Sequence, residues 1–218
     1  MLIAGIVDKD EKKATAGLIN SIFSPLGKKV SIVDVKNLVE LDRKTVKKYV
    51  SELDNNNIDI LILHMNILDV EKEIFDFIHF DVIIYKDKAE YLKGSDSKTY
   101  LRLVKRLFSL LDEKAIAIVN VDDSELVAAL EEIKKNVVTY GFSSKASITA
   151  SSIGDDVFKD NFLCCLKRAI PTKSGILVEP QEYSIKAPAN DLDVYQVMAA
   201  ASFAIINGVD LNTLNFDS

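Results

Sequence analysis

Tryptophan is absent from this chain of 218 residues, and proline (4), glycine (8), cysteine (2) and histidine (2) are scarce. So little Pro and Gly excludes collagen-like and low-complexity chains. Cys164 and Cys165 are adjacent, cannot close an ordinary loop with each other and lack CxxC or His spacing, which excludes a disulfide framework and a zinc ligand set. They read as buried reduced thiols. His64 and His79 have no ligand spacing; each reads as a surface or satisfied interior residue, His64 at a strand end and His79 on an amphipathic helix. Long apolar runs are missing too. The richest, Val197 to Ile206, falls short of the ~20 residues of a membrane span, and no basic leader precedes Asp8. The expected location is cytoplasmic, with no membrane partner. Finally, no block of Lys or Arg overcomes a net charge of −6, so nucleic acid is excluded as a partner. Lys28-Lys29, Lys47-Lys48 and Lys134-Lys135 read as solvated faces.

What is present is 48% apolar and 28% charged residues, enough for a globule that removes roughly 70–75% of its surface from water. Short β-rich runs alternate with helix-sized gaps: Leu2–Val7, Val30–Asp34, Ile58–His64, Asp81–Tyr85, Ala115–Asn120 and Val137–Tyr140. Continuous apolar runs such as Ile58-Asp59-Ile60-Leu61-Ile62-Leu63 suit strands covered on both faces, the parallel-sheet condition. Helical stripes fall at Ala14, Leu18, Ile22 and Phe23, at Val46, Val50 and Leu53, and from Tyr100 through Leu103, Val104, Leu107 and Phe108 to Leu111. Asp122-Asp123-Ser124 precedes Leu126, Leu130 and Ile133 as a helix start, and Val194 to Ile206 forms an Ala-rich helix closed by Asn207-Gly208. Between them, Ala146–Ser151, Phe162–Leu166 and Ile176–Ile185 predict a small antiparallel sheet. The expected fold is one α/β domain, a mostly parallel P-loop-like three-layer sheet with a small antiparallel subsheet. Its parts are residues 1–145, 146–190 and 191–218.

A strand followed by a loop and a helix N-terminus is where α/β proteins hold phosphate. Here that loop is Val7-Asp8-Lys9-Asp10-Glu11-Lys12-Lys13. A phosphate cradle needs glycines whose bare backbone lets N–H groups converge, and none lies between Gly5 and Gly17. Asp8, Asp10 and Glu11 crowd the place an anion would enter, each opposing it by ~1–4 kcal/mol at ~4 Å.

Gly5 through Lys12 and Thr15 nevertheless resembles the G-x-T-G-T-x-G-K-T-T loop of the Mur ligase central domain, the ATP-dependent amide ligases of peptidoglycan assembly. Further matches follow in order. Phe80-Asp81-Val82-Ile83-Ile84-Tyr85 resembles F-D-V-x-V-F, and Gly94 through Tyr100 to Phe108 resembles the helix that carries a carbamylated lysine. Asn120-Val121-Asp122-Asp123 is N-x-D-D and Thr139-Tyr140-Gly141 is T-Y-G. Asp193-Val194-Tyr195-Gln196-Val197-Met198-Ala199-Ala200 resembles N-x-x-N-x-x-A-A with both Asn positions replaced.

The departures fall on catalytic positions of the family. Loop glycines become Asp8 and Glu11, and the magnesium-binding hydroxyl becomes Lys13. The acidic element after its strand reads Ile62-Leu63-His64-Met65-Asn66. The D-H-L-D segment shrinks to Lys86-Asp87-Lys88-Ala89-Glu90-Tyr91, and the modified lysine falls on Val104, with Lys105 about 100° around the helix.

The resemblance therefore implies a stand-alone central domain with degenerate motifs, not an active enzyme, acting as a binding or interaction protein related to cell-wall amide-ligase metabolism, with no cofactor expected. Its partner would be a second copy or a Mur-ligase-like protein, and exposed apolar area is expected near the C-terminal helix. A second reading is an amide ligase component using ATP and magnesium and completed by other chains, with Lys12, Asn120, Asp122 and Lys105 as residues to test. A third is an adenine-nucleotide sensor. The vestigial nucleotide residues are Lys12, Asn120, which in the family lies beside adenine, and Asp122. For Asp122 and Asp123, helix capping is the competing role.

Overall fold

The strands begin where the apolar runs do. The computed structural model describes residues 1–86, 97–130, 135–150, 162–185 and 192–214. It places β1 (Leu2–Val7), β2 (Val30–Asp34), β3 (Ile60–Met65), β4 (Phe80–Tyr85), β5 (Leu111–Asn120) and β6 (Asn136–Tyr140) in parallel pairing. β3 is buried along its whole length and β1 over its last four residues, as strands covered on both faces require. One face carries α1 (Ala14–Phe23) and α5 (Val194–Ile206); the other carries α2 (Arg43–Asn55), α3 (Ser97–Ser109) and α4 (Ser124–Leu130).

The antiparallel part continues the same sheet. β7 (Ile148–Ala150) joins β6 in parallel through Tyr140 and Ile148, then β8 (Phe162–Leu166) and β11 (Gln181–Ile185) run antiparallel beyond it. The order is β11-β8-β7-β6-β5-β4-β1-β3-β2. A separate ribbon joins β9 (Ile170–Pro171) to β10 (Leu177–Val178).

Two local expectations are corrected. Leu111 opens β5 and pairs with Phe80, because α3 closes when Leu110 N–H donates to the Leu107 carbonyl. His79 stands exposed in the turn before β4, since residues 67–76 form two short 3-10 turns where an amphipathic helix was expected.

α5 is buried from Gln196 through Ile206. A helix apolar all round belongs inside the core, and Phe203 meets Phe23 of α1 edge to face at 5.6 Å. The exposed apolar area is accordingly not on the helix. It lies beside its end, on Ile176 and Leu177 of the ribbon, where Lys173 N–H donates to the Ile206 carbonyl. Among the described residues no helix is long and apolar enough to cross a membrane.

Candidate functional site

The C-terminal ends of β1, β3, β4 and β5 meet the N-termini of α1 and α5, the crevice where doubly wound sheets place ligands. After Val7 the chain turns on its own carboxylates. Asp10 N–H donates to Asp8 Oδ1 (3.1 Å), while Lys12 N–H donates to Asp10 Oδ1 (3.0 Å) and Ala14 N–H to Asp10 Oδ2 (2.8 Å). The amide of Ala14, the first of α1, and that of Lys12 in the preceding turn thus point at Asp10, as helix-start amides point at an anion. Lys13 takes a left-handed conformation (φ 54°) before the helix, and its ammonium pairs with Asp34 at 3.2 Å.

Behind this turn lies a buried pair. His64 Nε2 sits 2.6 Å from Asp8 Oδ1, and since a carboxylate only accepts, that ring nitrogen donates. The Asp8 side chain has no exposed surface. Its Oδ2, like Thr15 Oγ1, is buried without a hydrogen-bond partner. The parallel register that sets Ile6 beside His64 brings the pair together.

α5 closes the other side. Asp193 and Gln196 form a reciprocal capping box: Tyr195 N–H donates to the Asp193 carboxylate, and Asp193 N–H to Gln196 Oε1. Gln196 Nε2 then donates to Asp10 Oδ2 at 2.9 Å, and Lys86, buried at the end of β4, reaches Asp193 at 3.8 Å. Between these groups lies an open cleft of about 690 Å³, with Lys9, Asp10 and Glu11 on one wall and Lys86, Asp193, Tyr195 and Gln196 on the other.

The expected nucleotide residues take these places. Lys12 is exposed, with its N–H given to Asp10. Asn120, 8% exposed at the end of β5, uses its side-chain oxygen to accept from Asp122 N–H. Asp122 does not cap α4; Asp123 does, accepting from Leu126 N–H. The Asp122 carboxylate instead accepts from Phe142 N–H (2.7 Å), Ser143 N–H (2.8 Å) and the Tyr195 hydroxyl (3.0 Å). Tyr195 therefore links Asp122 to the cleft, and its ring meets the half-exposed Phe142 edge to face at 5.5 Å. Lys12 does not line the cleft. Val104 is fully buried in the core beneath α3, and Lys105 is exposed. Residues 87–91, Gly94, Ile133 and Lys134 lie outside the described residues. No three His, Cys, Asp or Glu side chains form a metal ligand set among the described residues. Cys164 is buried, and burial raises its thiol well above the usual range. His64, Lys86, Tyr195 and Gln196 are not among the expected site residues, although each lies in a segment compared above with a motif of the resembled family; the D-x-x-Q spacing of Asp193 and Gln196 adds a local helix-start signal.

Burial first, and the Asp122 carboxylate second, push the Tyr195 phenol up to about 12. The neutral phenol is the form the fold favours, so its contribution is complete below pH ~10, the ordinary tyrosine value, and is lost as pH rises through about 12. Burial raises the Tyr183 phenol as well, so the Tyr195 step is read as the difference in phenolate absorbance between the parent and Tyr195→Phe; it should come late, and Asp122→Asn should bring it earlier. A Tyr195 that titrates with the ordinary tyrosines would mean the Asp122 bond does not hold in solution.

A family model described as the Mur ligase middle domain matches residues 12–179. No curated protein sequence matches the chain. Among solved structures it is similar to UDP-N-acetylmuramoyl-L-alanyl-D-glutamate–2,6-diaminopimelate ligase, with 14% identity, 97% of this chain and 44% of that one covered, and a TM-score of 0.73. It is similar to MurF from Acinetobacter baumannii at 14% identity, 98% and 46% coverage and a TM-score of 0.64. It is also similar to E. coli FolC in complex with DHPP and ADP, at 12% identity, 97% and 54% coverage and a TM-score of 0.61. The chain spans less than half the length of the first two.

Proposed function

The chain belongs to the Mur ligase middle domain family, and on that premise we propose that it is a middle domain in which ligase chemistry has lapsed and which serves as a cytoplasmic binding or interaction module related to cell-wall amide-ligase metabolism. One observation carries the reading. The amides of Lys12, in the turn before α1, and of Ala14, its first residue, stand where a phosphate would accept and already donate to the Asp10 carboxylate. An incoming triphosphate would have to expel Asp10 from two N–H groups and from Gln196, against the charge of Asp8 and Glu11. The residues present do not fit a triphosphate and its magnesium ion. Apolar Ile62 and Leu63, and the buried Val104 at the lysine position, add no cation ligand to offset this. No catalytic step is assigned. Titration calorimetry with magnesium-ATP should give no binding heat, and no phosphate should be released. Micromolar affinity with hydrolysis overturns the reading in favour of a ligase component completed by other chains, in which case Lys12→Ala should abolish turnover.

A second reading has its own support. FolC is described in complex with ADP, and here Phe142 is 50% exposed beside Tyr195, Asp122 and Asn120. An adenine ring could stack there without the phosphate loop. AMP binding independent of magnesium, and lost in Phe142→Ala, would establish an adenine-nucleotide sensor.

A further inference from the structure

The two edges of the sheet are finished differently. At β11 the Asn212 side chain stands in for a neighbouring strand, accepting from Ser184 N–H (3.1 Å) and donating to the Glu182 carbonyl (2.9 Å). At β2, the other edge, no such cover is present among the described residues. The Lys29 carbonyl accepts from Asp59 and Ile60 N–H. Residues 29, 31 and 33 therefore face β3, and the N–H and C=O groups of Val30 and Ile32 face outward. Neither proline nor a bulge guards this strand, and an open edge of this kind is a template for another strand.

Beside the edge runs a groove of about 500 Å³ whose apolar lining includes Ile32, Leu38, Leu41 and Tyr49, with Ile32 and Leu41 exposed. Its charged lining is balanced, Lys13 and Lys48 against Asp34 and Glu52, on a chain whose net charge is −6. We infer that the β2 edge is where two copies of this chain associate, strand against antiparallel strand, across a twofold axis at Ser31.

Charge selects the register. Outward groups must meet outward groups, so Val30 can face the partner's Val30, Ile32 or Asp34. Facing Ile32 places Lys28, which pairs with Asp59 of its own chain at 2.9 Å, opposite the partner's Asp34, which pairs with its own Lys13 at 3.2 Å, so the contact joins two ion pairs and symmetry repeats it. The other two choices set Asp34 opposite the partner's Leu26 or Val30 and make no charge pair. Opposite charges across a strand pair stabilise it, so the register that sets Val30 against Ile32 holds. It gives four backbone hydrogen bonds between Val30 and Ile32 of the two copies. A twofold axis uses the same patch on both, and the balanced groove suits that.

The inference stands apart from the nucleotide reading, since no residue of the cleft takes part. Sedimentation velocity across roughly a hundredfold dilution should show a reversible monomer–dimer equilibrium, and amide exchange over residues 28–35 should slow as the dimer fills. Ile32→Pro removes an outward N–H and should weaken the dimer by at least about tenfold. Lys28→Glu should weaken it as well, with the fold checked by far-UV circular dichroism. Lys28→Glu combined with Asp34→Lys should recover part of the dimer affinity relative to either single variant, the remainder being lost with the Asp59 and Lys13 pairs of each chain. A chain that stays monomeric throughout, or a dimer indifferent to both Ile32→Pro and Lys28→Glu, overturns the inference.

Discussion

His64→Leu should destabilise the protein by about 3–5 kcal/mol, lowering the melting temperature by roughly 6–20 °C for a chain of this size. The Asp8 side chain is fully buried; Oδ1 receives His64 Nε2 and Asp10 N–H, and Oδ2 has no partner. Leucine would leave that carboxylate with the part-buried Asp10 amide as its only donor, in surroundings that penalise an unpaired charge. Removing both members should cost far less than removing one, because the expense lies in stranding a charge and two apolar side chains strand none. Asp8→Leu/His64→Leu is therefore expected within about 1–2 kcal/mol of the parent, a large favourable coupling in a double-mutant cycle. Thermal denaturation of the four proteins decides it. A His64→Leu variant as stable as the parent would mean the pair contributes nothing and that the turn at Asp8 is held by Asp10 alone.

That pair also shows where sequence reading ends. The strands were legible because β1, β3 and β4 are covered on both faces and so spell continuous apolar runs; β1, β2 and α5 begin and end on the residues expected. α5 also carried local punctuation, Asp193 with Gln196 at its start and Gly208 with positive φ after its end. The bond from His64 to Asp8 spans 56 residues and that from Gln196 to Asp10 spans 186. Neither follows from local pattern; both follow from register, once β1 lies beside β3 and α5 beside α1. Asp10 was legible as a charge that repels phosphate. Its second role, as the anion that α1 already holds, depends on the left-handed turn at Lys13, a conformation a lysine rarely advertises. Leu111 was misplaced for a similar reason. Its apolar side chain fits the helical stripe of α3 and the first rung of β5 equally, and only the pairing with Phe80 decides.

Gly141→Ala should cost about 3–4 kcal/mol, from two sources that can be separated. The backbone there has φ of +140°, which strains any L side chain by ~1–3 kcal/mol. An added Cβ would also stand 2.7 Å from Asp122 Oδ2 and 2.9 Å from its Cγ, so the carboxylate must move, and with it the bonds from Phe142 N–H, Ser143 N–H and the Tyr195 hydroxyl. In an Asp122→Ala background the steric part disappears and the backbone part stays, so the same substitution should then cost only the backbone strain of about 1–3 kcal/mol. Chemical denaturation of the four combinations measures this directly, and the late phenolate step of Tyr195 gives a second readout, since Gly141→Ala should bring it earlier without touching Tyr195. Strictly additive costs would show that Asp122 moves freely and does not tie the turn after β6 to α5. Non-additive costs would make the glycine of the T-Y-G motif a packing requirement: bare backbone is what allows a carboxylate to sit against this turn and gather two amides and a phenol around itself.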